Sequence, residues 1–153
     1  MIYLAGSLRN PKIPSLARDI RKATGHRVFA DWFAAGPEAD DHWKAYYEGM
    51  ADPSATPAQK YQWALEQPAS VNTFHFDERH IKASDLMVLA LPAGKSGHLE
   101  LGWFLGKGRP GIIYLDDTDV RWDIMYQYAT HVVSNFDDLC DKIIKYVGDK
   151  RNG

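Results

Sequence analysis

Short apolar runs alternate along the chain with stretches of helical periodicity, and this alternation predicts the fold. Residues 2–5 (Ile-Tyr-Leu-Ala) read as a short buried strand, with Gly6-Ser7 as the turn after it. Ile13, Leu16, Ile20 and Ala23 recur at helical spacing, with Ser15 or a neighbour as the cap and Gly25 as the terminator. Residues 27–30 read as a second strand, so the chain opens with a βαβ unit, which crosses over right-handed.

Residues 31–72 break that rhythm. A Gly36-Pro37 turn leads to a polar-aromatic helix at 39–49, and Thr56 caps another through Tyr61, Trp63 and Leu65, ended by Pro68. A plain crossover needs about a dozen residues, so the segment is a helical insertion after strand 2. It carries three of the five Trp, which suits either a hairpin packed on a neighbouring subunit or a wall that stacks on a flat ligand.

The regular pattern then resumes. A helix at 73–84 puts Phe74, Asp77 or Glu78, Ile81 and Ser84 on one stripe, and the apolar run 86–91 follows as a strand that stops at Pro92-Ala93-Gly94. A helix from about Ser96 to Gly106, a strand at 112–115 and a polar loop to Asp123 come next. A short helical piece at 124–129, a strand at 131–133 and a closing helix at 136–147 complete the pattern. The closing helix buries Leu139, Ile143 and Val147, with Cys140 beside them. Five strands alternating with helices predict one α/β domain over residues 1–149, a three-layer sandwich on a parallel sheet, with 150–153 a frayed tail.

Composition narrows the function classes. With 153 residues, 45% apolar and 25% charged, the chain suits one soluble domain. A net charge of −2 gives no electrostatic case for nucleic acid or an anionic membrane. No apolar run approaches the ~18 residues of a membrane span, and the first residues lack the pattern of a signal peptide. The single Cys140 fits a reducing cytoplasm.

Candidate chemistry concentrates after the run 86–91. Glu100 falls about one turn into the following helix, where aligned N–H dipoles favour an ionised carboxylate. It is either an exposed Glu that complements the dipole or a nucleophile or base at the mouth of the sheet. Gly97, Gly102 and Gly106 on the same helix suggest close approach by another element or a ligand. Asp77 lies on the stripe expected to face the sheet, where an unpaired charge is costly; Glu78 is the alternative inward residue. Tyr3 alternates with Ile2 and Leu4, and becomes interesting if its hydroxyl points to Glu100. Gly94-Lys95-Ser96 lacks the earlier glycine of a phosphate-binding P-loop, since Leu89 stands there. His75, Asp77, Glu78 and His80 are off the i, i+4 histidine spacing of helical zinc sites, and no Gly-x-Gly-x-x-Gly follows a strand.

Ile2-Tyr3-Leu4-Ala5-Gly6-Ser7, then Asp77 eight residues before Asp85, then Gly97-His-Leu-Glu100-Leu-Gly102-Trp, then Asp123-Ile-Met125 come in a characteristic order. In this the chain resembles the nucleoside 2-deoxyribosyltransferase family and the wider group with the nucleoside 5′-monophosphate N-glycosidases. The resemblance covers the α/β framework but not residues 31–72. It implies a flavodoxin-like parallel sheet of order 2-1-3-4-5 and cleavage of an N-glycosidic bond, with no metal or organic cofactor. It implies Glu100 as the nucleophile, Tyr3 as the residue that positions it, and Asp77 as the group that manages the leaving base's proton. Gly6, Ser7, Gly94, Lys95 and Ser96 are then substrate-binding. Asp123 and Met125 reach the sugar's 5′ end from a neighbouring subunit, so a homo-oligomer is expected.

The implied partners are a nucleoside or nucleotide and a free nucleobase. Gly94 stands where transferases of the family often carry an aspartate, which leaves base handling open, and Lys95 or Ser96 could take a 5′-phosphate. Asp123 argues instead for a free 5′-hydroxyl, because a carboxylate repels phosphate. Trp32, Phe33, Trp43, Tyr47 and Trp63 are candidate base-stacking residues. A nucleoside 5′-monophosphate N-glycosidase and a non-catalytic nucleotide-sensing module remain the alternatives.

Overall fold

The computed structural model describes residues 1–118 and 121–150. Its strands are β1 (Ile2–Ala5), β2 (Val28–Phe29), β3 (Leu86–Ala90), β4 (Gly111–Tyr114) and β5 (His131–Val133). They form one sheet in the order β2-β1-β3-β4-β5 with every neighbouring pair parallel, which is the expected flavodoxin-like order. Both faces of β1 and β3 are fully buried, so these strands read as continuous apolar runs rather than as alternating ones.

Two apolar clusters lie on either side of the sheet. Ile2, Leu4 and Val88 pack with Ile13 and Ile20 of α1 (Ile13–Thr24) and with Leu139 and Ile143 of α6 (Phe136–Val147). Tyr3, Ala5 and Leu89 face the other way, against Ile81 of α4 (Pro68–Lys82) and Leu101 and Phe104 of α5 (Lys95–Gly106). The division of Tyr3 from Ile2 and Leu4 follows the two-residue period of a strand. Between β2 and α4 come a 3₁₀ helix (Asp31–Ala35), α2 (Ala39–Met50) and α3 (Pro57–Leu65).

The insertion holds together around its own aromatic rings. Trp43 meets Tyr47 and Tyr61 edge-on, Tyr47 meets Trp63 likewise, and the Trp43 indole N–H donates to Ser70 Oγ at 2.8 Å. An exposed ion pair, Arg9 to Asp41 at 2.7 Å, links α2 to the loop after β1.

Several boundaries differ from the sequence reading. Ser15 is not the cap of α1: it lies inside the helix and its hydroxyl donates to Lys12 O, while Pro14 occupies the first turn, where no N–H is needed. Pro68 opens α4 instead of closing α3, so α4 begins five residues before the expected position 73, again because proline suits a first helical turn. Phe74 is exposed rather than turned to the sheet, since the buried stripe of α4 is confined to its C-terminal end around Ile81. Strand β2 is trimmed to two residues. The Thr56 cap is as expected, with a reciprocal bond from Gln59. Of the tail, residues 151–153 lie outside the described residues, and Lys150 N donates to Thr24 O at 3.1 Å.

Gly97 sets the seat of α5. A Cβ built there would lie 2.8 Å from Leu89 Cδ1 and 3.4 Å from Gly6 O, so the helix rests directly on the sheet. Gly49 of α2, by contrast, has nothing within 4 Å. Gly97→Ala is therefore expected to destabilise the fold by about 1–3 kcal/mol through overpacking, and Gly49→Ala to stabilise it by about 0.5–1 kcal/mol. Urea denaturation midpoints of the two variants check both signs.

Candidate active site

The C-terminal ends of β1 and β3 lie side by side in register, Ala5 opposite Leu89. Strand β1 supplies Tyr3, β3 leads into the turn that starts α5, and α5 carries Glu100. Glu100 is the sixth residue of its helix, deeper than the one turn expected, and its side chain leans back over the sheet. There Tyr3 Oη donates to Glu100 Oε1 at 3.3 Å. Tyr3 is 1% exposed, so this phenol is a fixed donor from the core.

Asp77 comes to the same place from α4. Its Oδ1 is buried and makes no hydrogen bond within the described residues. Such an atom is expensive unless the group keeps its proton or meets a ligand. Burial pushes the Asp77 carboxyl above the usual carboxylate range, against the opposing pull of His80. Burial likewise pushes Glu100 up to about 7, the negative charge of Asp77 adds to that, and the Tyr3 hydrogen bond works the other way. Helix-dipole stabilisation does not prevail at Glu100, because desolvation outweighs it. Tyr3 is pushed far above its ordinary value by burial and by the two carboxylates, so it remains a donor.

The rings around these carboxylates are not those singled out by the sequence. Phe29 of β2 stands opposite Tyr3 in register and stacks on it at 5.4 Å. The His80 ring lies flat on Phe29 at 3.9 Å and 11°, and Phe76 closes the group. Phe76 and His80 flank Asp77 at i−1 and i+3, a spacing visible in the sequence; the pairing of Phe29 with Tyr3 requires the sheet. Trp43, Tyr47 and Trp63 are engaged with one another in the insertion. Trp32 reaches the edge of the site, where its indole N–H donates to Leu4 O at 2.9 Å, and Phe33 packs edge-on to it.

The remaining candidates fall into two places. Gly6 approaches α5 through Gly97, and Ser7 shapes the loop after β1, its Oγ accepting from Arg9 N at 3.1 Å. Gly94 is the extended residue before α5, and Lys95 and Ser96 are exposed in its first turn. Asp123 and Met125 belong to an open cavity that neither Tyr3 nor Glu100 lines. They line it with the outward face of α5, beside His98 and Gly102. Asp123 Oδ1 caps the 3₁₀ helix Ile124–Tyr128 by accepting from Met125 N at 2.8 Å. Among the described residues no group of three or more His, Cys, Asp or Glu is placed to hold a metal ion, and no helix is long and apolar enough to cross a membrane.

No protein-family model matches the chain, and no curated protein matches it in sequence. Solved structures do match. A 2-deoxyribosyltransferase from Bacillus psychrosaccharolyticus is 15% identical with a TM-score of 0.54, over 92% of this chain and 90% of that one. A conserved protein from Enterococcus faecalis V583 is 19% identical with a TM-score of 0.60, over 94% of this chain and 96% of that one. The likeness is one of fold. It extends over nearly the whole length of both chains.

The raised carboxylate has a thermodynamic signature. A carboxyl whose folded pKa lies above its unfolded value favours folding while protonated, and that contribution is lost as pH rises through the folded value. For Glu100 the window runs from the ordinary 4.5 to about 7. Glu100→Gln, which never ionises, is thus expected to leave stability unchanged near pH 4.5 and to raise it by about 2 kcal/mol at pH 8, after discounting for partial exposure. Denaturation at the two pH values measures the difference.

Proposed function

We propose that this chain cleaves the N-glycosidic bond of (deoxy)nucleosides through a covalent glycosyl–Glu100 intermediate and transfers the 2-deoxyribosyl group to another nucleobase. The observation that carries the reading is the buried pair of carboxylates, Glu100 on the Tyr3 hydroxyl and Asp77 with an unpartnered oxygen. The pair sits at the strand ends of a fold shared with a 2-deoxyribosyltransferase. In the first half-reaction Glu100 attacks the anomeric carbon, the C–N bond breaks, and its electron pair leaves on the base. The two carboxylates share one proton, and in the reacting form it sits on Asp77, which passes it to the departing nitrogen. Tyr3 holds the carboxylate in line and releases it as the ester forms. A second base, with Asp77 taking its proton, displaces Glu100 and restores the enzyme.

The aromatic group Phe29, Phe76 and His80 flanks this chemistry and shields it from water. Gly6, Ser7, Gly94, Lys95 and Ser96 form the rim where substrate enters. Lys95 and Ser96, exposed in the first turn of α5, give the 5′-monophosphate N-glycosidase reading its place.

Completion of the site by a second copy is supported by the position of Asp123 and Met125, in a cavity that neither Tyr3 nor Glu100 lines. It is supported too by exposed apolar side chains around them, with Leu99 at 74%, Ile124 at 75% and Tyr128 at 74%. In this homo-oligomer each protomer lends its 123–125 segment to the sugar's 5′ end next door.

Incubation with a 2′-deoxynucleoside, with and without a second free base, is expected to yield a new nucleoside only when the base is present. Free sugar alone, or turnover confined to 5′-monophosphates, identifies the hydrolase, and no base release from any nucleoside or nucleotide overturns both. Glu100→Ala is expected to abolish release, and Asp77→Asn to slow it about 100-fold. kcat/KM is expected to fall as pH rises through about 7, where the two carboxylates lose the last proton they share.

Mixing Glu100→Ala with Met125→Ala tests the shared site. Recovery of activity in the mixed oligomer, from two impaired parents, is the expected result. Activity no greater than the sum of the parents rules out a site built across subunits.

A further inference from the structure

Two residues before Glu100, His98 uses both of its ring nitrogens. Nδ1 lies 2.7 Å from Gly94 O, and a carbonyl only accepts, so Nδ1 carries a proton. Nε2 lies 2.8 Å from the Tyr126 hydroxyl, which donates to it when the ring is neutral. The two rings are also close to parallel, 5.7 Å apart and tilted by 21°. One imidazole thus joins the turn that opens α5 to the residue directly after Met125.

The 3₁₀ helix Ile124–Tyr128 is five residues long, and short 3₁₀ helices have poor hydrogen-bond geometry. Its backbone bonds are local, Tyr126 N to Asp123 O at 3.3 Å and Ala129 N to Tyr126 O at 3.0 Å. Ile124 and Met125 point outward, at 75% and 56% exposed. Tyr126 instead packs back against the cluster that contains Leu101 and Phe104 of α5.

We propose that His98 is the positioning residue for the Asp123–Met125 segment, pinning it through Tyr126 to the Gly94 turn of the same protomer. The piece of chain that a protomer lends to its neighbour is thereby held in register with the protomer's own α5. This inference rests on the proposed glycosyl-transfer site shared between subunits. His98 makes no contact with reacting atoms in this arrangement; it governs where Met125 and Asp123 stand.

Isosteric substitutions separate the two bonds. His98→Asn places an amide where Nδ1 stands, keeping the bond to Gly94 O but not the reach to Tyr126. His98→Gln extends the amide toward the position of Nε2. Tyr126→Phe removes the hydroxyl alone. Hydrogen exchange followed by mass spectrometry reads the segment directly. Exchange in residues 124–129 is expected to accelerate about tenfold in His98→Asn and in Tyr126→Phe, as loss of one such bond implies. Amides of β1 and β3 should be unaffected, and the double variant no worse than either single one.

In turnover assays the same variants are expected to raise KM about tenfold, because the segment binds the sugar's 5′ end. kcat should stay within about twofold, and His98→Gln should recover most of the loss. Unchanged exchange in 124–129 overturns the inference. So does a fall in kcat and thermal stability with KM unmoved, the mark of a merely structural histidine. If the parent releases no base from any substrate, the glycosyl-transfer reading is what has gone, and the exchange measurement still decides whether His98 holds the segment.

Discussion

Desolvation of two neighbouring carboxylates is the interaction on which the rest of this molecule depends. Glu100 and Asp77 arrive from different helices, and each is taken out of water at a cost that the pull of His80 on Asp77 does not offset. A fold tolerates that cost only where the surrounding structure over-determines the positions. Here β1 provides the Tyr3 hydroxyl from the core, and Gly97 lets α5 sit hard against the sheet. The end of α4 is held by Ile81 in the apolar layer between α4, α5 and the sheet. Packed core elements accordingly frame the pair, while the segments that would touch a substrate's extremities lie outside them.

Much of this was legible in the chain. Continuous apolar runs at 2–5 and 86–91 marked strands buried on both faces, and the helical stripes between them required a parallel sheet. Tyr3 opposite Ile2 and Leu4 followed from the strand period alone. Glu100 stood out because a strand, a break and a helix start preceded it. What could not be read was tertiary in origin. Pro68 looked like a terminator because proline ends one helix as readily as it begins another, and only the extended Gln67 before it decides between them. The helix dipole suggested an ionised Glu100, yet the opposing desolvation depends on Asp77 and on the depth of the site, neither of which is a property of the helix.

The aromatic residues illustrate the same limit. Five rings of the 31–72 region drew attention by density, and three of them, Trp43, Tyr47 and Trp63, serve one another. The rings beside the carboxylates come instead from a two-residue strand and from the neighbours of Asp77 in α4. Phe29 becomes significant only through its register with Tyr3. Asp123 and Met125 make the converse case: the resemblance assigns them to a neighbouring subunit's site, and in the single chain they line the cavity on the outward face of α5. In the proposed homo-oligomer a second copy covers the apolar surface around Met125.

The close seat of α5 at Gly97 has one further consequence. With no side chain at position 97, the approach of the helix to the sheet at that point is limited by Leu89, which projects from β3. The bulk of one core residue therefore acts as a shim under the proposed nucleophile. A shorter aliphatic side chain at position 89 gives α5 room to settle and draws Glu100 toward Tyr3. A longer one lifts it away, so the strength of that hydrogen bond becomes adjustable from a position no substrate can reach.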